Sequence, residues 1–274
     1  MWGDSMNIAI VGGTHGNEPV GLEVINALKN KRPEACIHKY ETFQGNPKAF
    51  EMEKRFVDCD LNRAFGKNGI RKGYEKQRAE QLEAQIKGHF DLCLDIHTTT
   101  TNMGMTLILN NTHELTQRAC AYLKSQFTDI KLIEEDILDE ECNHLNRLSP
   151  AGITIEVGPV ANNVIRGDFV SKIYEMIKSL LAWDFSPEGI CLEEVEYYKV
   201  FKTLYYPEES GWYIHESIEN HDFKEIHPGD ILFINLEGDT IKYEGESAYP
   251  FFINEAAYLK NKSAMVLSKK LKGF

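Results

Sequence analysis

Apolar residues fall into short continuous runs, separated by longer stretches in which they recur every three or four positions. The run "NIAIVGG" (residues 7–13) is closed by glycines and predicts a buried strand. In "EPVGLEVINALKNK", Val20, Leu22, Val24, Ile25 and Leu28 recur at helical spacing. "RKGYEKQRAEQLEAQIKGHF" predicts a charged helix with Leu82 and Ile86 on one side. "DLCLDIH" and "GMTLILN" read as short strands. "THELTQRACAYLKSQF" predicts a helix with Thr112 as its N-cap. "ITIEVGP" is a further strand, and "NNVIRGDFVSKIYEMIKSLLAWDF" a further helix.

Strands alternating with helices imply an α/β fold, with a largely parallel sheet covered on both faces. Ligands of such sheets lie outside the carboxyl ends of the strands. Composition shifts around Ser186–Glu194, and "YYKVFKTLYY", "GWYIHE", "HPGDILFINL" and "TIKYEG" follow as alternating runs broken by Gly and Pro. We therefore expect a first domain over residues 1–187 and a smaller β-rich domain over 188–274. The end, "NEAAYLKNKSAMVLSKKL", reads as a short helix or a tail.

Of the 274 residues, 42% are hydrophobic and 26% charged, the balance of a globular protein with its own core. No apolar run reaches the ~18 residues of a membrane-spanning helix, and the N-terminus lacks the basic and apolar regions of a secretory signal. Cys36, Cys59, Cys93, Cys120, Cys142 and Cys191 are widely spaced with no CxxC, which suits reduced, mostly buried thiols in the cytoplasm. The net charge of −12 argues against a nucleic-acid surface. A small anionic ligand would need arginines gathered locally.

The turn "VGGTHGNEPVG" sets His15 and Glu18 three residues apart among glycines. Neither phosphate-loop spacing, GxGxxG or GxxxxGK[ST], is present. The pair suits a cation, or simply a turn satisfied by local hydrogen bonds. His97, ending "DLCLDIH", would complete a His2Glu set of the kind that holds catalytic Zn²⁺ and leaves a position for water. Alone, it would read as a hydrogen-bonded core histidine. Glu156 lies inside the apolar run "ITIEVGP". It either faces solvent from an edge strand or serves as a general base beside the metal; apolar neighbours on both sides favour the base.

"EKRFVDCDLNRAF" carries Arg55, Asp58, Asp60, Asn62 and Arg63. Such a charge run reads as a solvated loop or as an anion site, in which one guanidinium stabilises an oxyanion and another binds a carboxylate. Arg147, in "HLNRLSP", is a further candidate. Tyr258 reads equally as a core tyrosine or as a phenol supplied to the site.

The motifs "GGTHGNE", "DCDLNR", "DIHTTTTNMGMTLIL", "IEVGP", "HPGD" and "FINEAAY", in that order and over nearly the whole chain, resemble the aspartoacylases. These belong to the succinylglutamate desuccinylase/aspartoacylase group of the zinc-carboxypeptidase-like superfamily. The resemblance implies one zinc ion per chain on His15, Glu18 and His97. It implies Glu156 as the base and then the proton donor, Arg55 as the group polarising the scissile carbonyl, and Asn62 with Arg63 on a substrate carboxylate. Arg147 would hold the other end of the substrate, and Tyr258 would enter from the C-terminal domain. Members are often oligomeric, so self-association is an expectation too. One neighbourhood departs from the family pattern: "DEECNHLNR" lacks the tyrosine expected four residues before the arginine, and its spacing to "IEVGP" differs by one residue.

The expected function is zinc-dependent deacylation of a small anionic N-acyl amino acid, N-acetyl-L-aspartate above others. The alternatives are an N-acyl aromatic amino acid or succinylglutamate as substrate, or a zinc-binding sensor or assembly protein without activity. Neither a nucleic acid nor a membrane is expected as a partner.

Overall fold

The structure, a computed structural model, describes residues 5–66, 69–135 and 144–274. In chain order its strands and helices are β1 (Asn7–Gly12), α1 (Pro19–Asn30), β2 (Lys39–Gln44), α2 (Pro47–Glu51), α3 (Tyr74–Ile86), β3 (Leu92–Thr98), β4 (Gly104–Leu109), α4 (Glu114–Gln126), β5 (Lys131–Glu134), β6 (Ala151–Gly158) and α5 (Gly167–Ala182). The C-terminal part adds β7 (Glu196–Tyr205), β8 (Tyr213–Ile214), β9 (Ile231–Ile234), β10 (Thr240–Lys242), β11 (Tyr249–Phe251) and β12 (Ser263–Lys272).

Among the described residues, nine strands form one sheet in the order β11-β12-β7-β5-β4-β6-β3-β1-β2, and β10-β9-β8 form a small second sheet. β1 pairs in parallel with β2 on one side and β3 on the other, and β3 pairs in parallel with β6. β4 runs antiparallel to β6. The sheet is therefore mixed and largely parallel in its first half. β1 shows why its sequence is uniformly apolar: Ile8 and Ile10 join the core on one face, Ala9 and Val11 the core on the other. Connections leave β1 in both directions along the sheet, so a crevice opens beyond the carboxyl ends of β1 and β3.

Two expectations are corrected. The N-cap of α4 is His113, not Thr112; its ring accepts from the Leu115 N–H. The chain end is neither helix nor tail beyond a short 3-10 turn: β12 is a ten-residue strand paired along β7. Three strands of the C-terminal part extend the main sheet, while β8, β9 and β10 stand apart. Of the cysteines, Cys93 and Cys120 are buried, Cys36 and Cys59 partly so, and Cys191 is exposed; Cys142 lies outside the described residues. No helix among the described residues is long and apolar enough to cross a membrane.

Candidate metal and substrate site

The turn after β1 delivers His15 and Glu18 into the crevice. Gly13 takes φ +69, which favours glycine, and Gly16 packs so close to Ala49 that any side chain would collide with the α2 backbone. Pro19 then starts α1. Glu18 occupies the N-cap position, yet its side chain makes no cap bond. It points into the crevice instead. There Oε1 meets His15 Nδ1 at 2.7 Å and Oε2 meets His97 Nδ1 at 3.0 Å. The Thr98 N–H donates to Oε2 at 3.1 Å, and Arg55 Nη1 donates to Oε1 at 3.1 Å.

His97 arrives from the end of β3. Asp95, two residues earlier on the same face, meets its Nε2 at 2.8 Å and accepts from Thr14 and Asn62 with its two oxygens. Asp60 does the same for His15, at 3.1 Å from Nε2. With each Nε2 engaged by a carboxylate, both rings turn Nδ1 toward Glu18, and the two Nδ1 atoms lie only 3.2 Å apart. Two lone pairs and a carboxylate converging this closely suit a divalent cation. The ligand atoms of His15, Glu18 and His97 lie within 4.8 Å of one another and all three residues are buried, so they form a group able to hold a metal ion.

The electrostatics agree with that reading. Burial works against ionising Glu18, but His15 and His97 hold its carboxylate well below the usual range. Burial likewise disfavours an imidazolium at His97, yet Asp95 and then Glu18 outweigh it and raise the ring well above its ordinary value. A metal at Nδ1 would replace that proton.

Glu156 behaves oppositely. β3 and β6 pair so that His97 and Glu156 are direct neighbours, as are Asp95 and Thr154. Glu156 therefore faces the same crevice from a strand buried on both sides. Its Oε1 is buried with no hydrogen-bond partner among the described residues, and burial pushes its carboxyl well above the usual range. Burial, with the negative charges of Glu18 and Glu255 nearby, thus gives this carboxyl a high proton affinity beside the cluster of metal donors.

Arg55 and Asp60 lie on a loop that a single residue builds. Glu75, fully buried in the first turn of α3, accepts from the N–H groups of Val57, Asp58 and Cys59 at 2.6, 3.0 and 3.2 Å, and from Asn46 at 3.0 Å. Asp58 returns the favour by accepting from Tyr74 N–H at 2.7 Å. The loop so fixed sets Arg55 between Glu18 and Asp60, to which Nη2 donates at 3.2 Å. A 3-10 turn over Leu61–Arg63, capped by Asp60, follows. Asn62 contacts both Asp95 and His97 at 3.3 Å and accepts from the Leu145 N–H.

The cleft is walled by Ile108, Phe252 and Tyr258 and reaches Arg63, His144 and Glu135 at its far end. Tyr258 is half-buried against Phe252, and burial, then Glu156 and Glu135, push its phenol up. Glu255, just before it, accepts from the Thr99 hydroxyl and from Thr100 N–H at 2.9 Å, and caps the Ala257 N–H at 3.0 Å. It thereby ties the turn bearing Tyr258 to the loop after His97.

Eight of the nine residues singled out from sequence meet in this crevice: His15, Glu18, Arg55, Asn62, Arg63, His97, Glu156 and Tyr258. Arg147 does not line it; His144, at the start of the same 3-10 turn, does. Asp95, Glu75, Glu135, His144 and Glu255 escaped the sequence reading. Only Asp95 had a local signal, its i, i+2 spacing to His97 along a strand.

Comparison with known proteins agrees with this geometry. The family model for the succinylglutamate desuccinylase/aspartoacylase catalytic domain matches residues 4–183, and that for the AstE/AspA barrel-sandwich hybrid domain matches residues 193–270. Aspartoacylase of Mus musculus is 33% identical over 297 residues, covering 96% of this chain and 92% of the mouse protein. N-acyl-aromatic-L-amino acid amidohydrolase (carboxylate-forming) B of Danio rerio is 31% identical over 292 residues, covering 97% and 93%. The crystal structure of murine aminoacylase 3 superposes with a TM-score of 0.87 at 28% identity, covering 97% of this chain and 95% of that one. By motif, fold and whole-length similarity to deacylating hydrolases, the chain belongs to the succinylglutamate desuccinylase/aspartoacylase family.

Proposed function

We propose that this chain is a zinc-dependent amidohydrolase that removes the acyl group from an N-acyl amino acid, with N-acetyl-L-aspartate as its principal substrate. The observation that carries the reading is Glu156. It is a buried carboxyl whose Oε1 has no hydrogen-bond partner among the described residues, next to His97 in the β-ladder and facing the His15, Glu18, His97 donor set. A sensor or assembly site would gain nothing from so costly a group.

His15 and His97 through Nδ1, and Glu18 through its carboxylate, would hold the ion. When bound, zinc supplies a Lewis acid that polarises the acyl carbonyl and lowers the pKa of water. The protein's own groups supply the rest. Glu156 takes a proton from the attacking water as its oxygen joins the carbonyl carbon, then passes that proton to the amide nitrogen as the C–N bond breaks. Acetate and L-aspartate leave. The Arg55 guanidinium, held by Glu18 and Asp60, is the group assigned to stabilise the developing oxyanion. Asn62 and Arg63 receive a carboxylate of the amino acid and Tyr258 narrows the cleft, while Arg147, which does not line it, is assigned no substrate contact. Residues 1–187 thus carry the chemistry and 188–274 shape the entrance. Widely spaced cysteines support a cytoplasmic setting.

A second reading has its own support. Ile108 and Phe252 give the cleft apolar walls that an aromatic acyl amino acid could use, and the Danio rerio relative is named for such substrates. Rates on N-acetylaspartate, N-acetylphenylalanine and succinylglutamate separate the candidates. For the mechanism, Glu156→Ala should abolish acetate release while a full complement of zinc stays bound; retained turnover contradicts it.

A further inference from the structure

Arg63 stands at the mouth of the cleft with its guanidinium already partly committed. Nη1 donates to the Asn62 carbonyl at 2.8 Å and to His144 Nε2 at 2.8 Å. An amino group has two protons, so Nη1 is fully used. Nε and Nη2 take no partner among the described residues. These two atoms form the side-on fork that matches a planar carboxylate.

His144 can serve this purpose only as a neutral ring with an unprotonated Nε2. Its surroundings favour that state. Burial, then the neighbouring Arg63, pull its pKa down to about 4. Because Arg63 can only donate, the ring's one proton is on Nδ1, 4.0 Å from the Glu135 carboxylate and 3.4 Å from the Asn110 side-chain amide, which must then turn its oxygen toward the ring. His144 also lies in the stretch "DEECNHLNR", where this sequence departs from the family pattern.

We propose that His144 is a specificity-determining positioning residue, which pins Nη1 of Arg63 so that the Nε–Nη2 edge meets the carboxylate of the substrate. The carboxylate's role rests on the deacylase reading above; the pairing of imidazole and guanidinium does not. Without the pin, Arg63 is a long exposed side chain that must give up rotamer freedom each time a ligand binds. With it, the fork is set before binding, and the gain appears in substrate affinity rather than in the chemical step.

The zinc-loaded full-length protein and two variants test this. In His144→Gln the side-chain amide reaches about as far as Nε2 and can still accept from Nη1. In His144→Asn it reaches only as far as Nδ1. On N-acetyl-L-aspartate, His144→Asn should raise KM by about tenfold with kcat nearly unchanged, while His144→Gln stays within about threefold of the parent. Zinc content should be equal in all three. Equal KM values across the set, or losses confined to kcat, overturn the proposal. A separate readout is independent of turnover. In ¹⁵N-histidine spectra, His144 should show an unprotonated Nε2 whose resonance moves on Arg63→Lys. A protonated Nε2 overturns the pairing even if the protein is an active deacylase. Conversely, the expected spectrum from a protein that hydrolyses no acyl amino acid overturns the deacylase reading and leaves the pairing standing.

Discussion

At the metal end of the cleft, His15 and Glu18 share one turn, His97 ends the neighbouring strand, and every imidazole nitrogen has a partner within 3.2 Å. At the anion end, Arg63 is exposed and meets His144 across 81 residues of chain. The first arrangement is fixed by adjacent strands and a glycine turn; the second depends on two loops meeting. Damage at the metal end should therefore appear as lost metal and lost turnover together, whereas damage at the anion end should appear as weakened substrate binding with metal retained.

Metal removal is the largest expected effect. Chelation should reduce acetate release to background, and zinc should restore it. Affinity for zinc should also weaken as pH falls, because His97, raised above its ordinary value, must lose a proton to bind the ion. Competition with a chromophoric chelator at pH 5.5 and 7.5 checks the sign. Next comes Asp95→Asn, which leaves the ligands intact but alters the partner of His97. It should weaken zinc binding by about 10–100-fold, read in the same competition.

At the other end, Arg63→Ala should raise KM by about 10-fold or more at full zinc occupancy. Arg147→Ala should change KM less, since Arg147 does not line the cleft. The reverse ranking would reassign the carboxylate site. Between the two ends lies the loop bearing Arg55. Glu75→Gln replaces one of the acceptor oxygens that hold this loop with an amide donor. It should cost about 1–3 kcal/mol of stability and lower kcat by about tenfold through a misplaced Arg55. A lowered melting temperature with unchanged kcat would confine Glu75 to a structural role.

The smallest effect concerns the seam between the C-terminal part and the loop after β3. Asp222 accepts from the N–H groups of Asn102 and Ile253, and burial raises its pKa to about 6. The folded state therefore holds a proton there that the unfolded chain has released above about pH 4. Stability from this group is fully present below that pH and falls as pH rises to about 6, by roughly 1–3 kcal/mol. Denaturant titrations of the parent and Asp222→Asn, at intervals from pH 4 to 7, should show this slope in the parent alone.

The same contrast explains what the sequence disclosed. Elements buried on both faces announce themselves by continuous apolar runs, so β1, β3, β4 and β6 were legible, and with them His15, His97 and Glu156 at their ends. β2, "KYETFQ", is an edge strand with mixed exposure and no such run. β12 reads as a short helix or a tail because its end is rich in exposed lysines; its partner residues in β7 lie 58–76 positions earlier, and pairing at that distance leaves no periodic trace. Glu75 looks like an ordinary acidic residue in a helix's first turn, favoured by the dipole. Its real partners are backbone N–H groups 16–18 residues upstream, invisible to any local pattern. Arg147 stood out as a charged residue near Glu156 in sequence, but at the 3-10 turn over Leu145–Leu148 it is His144, the capping residue, that reaches the cleft.

Anomalous scattering recorded above the zinc absorption edge, on crystals grown with zinc, goes straight to the metal centre. A single strong peak touching Nδ1 of both His15 and His97 and the carboxylate of Glu18, with Glu156 beside it and not ligated, is the expected result. No peak there, or an ion held by Nε2 nitrogens or by Glu156 itself, would contradict it.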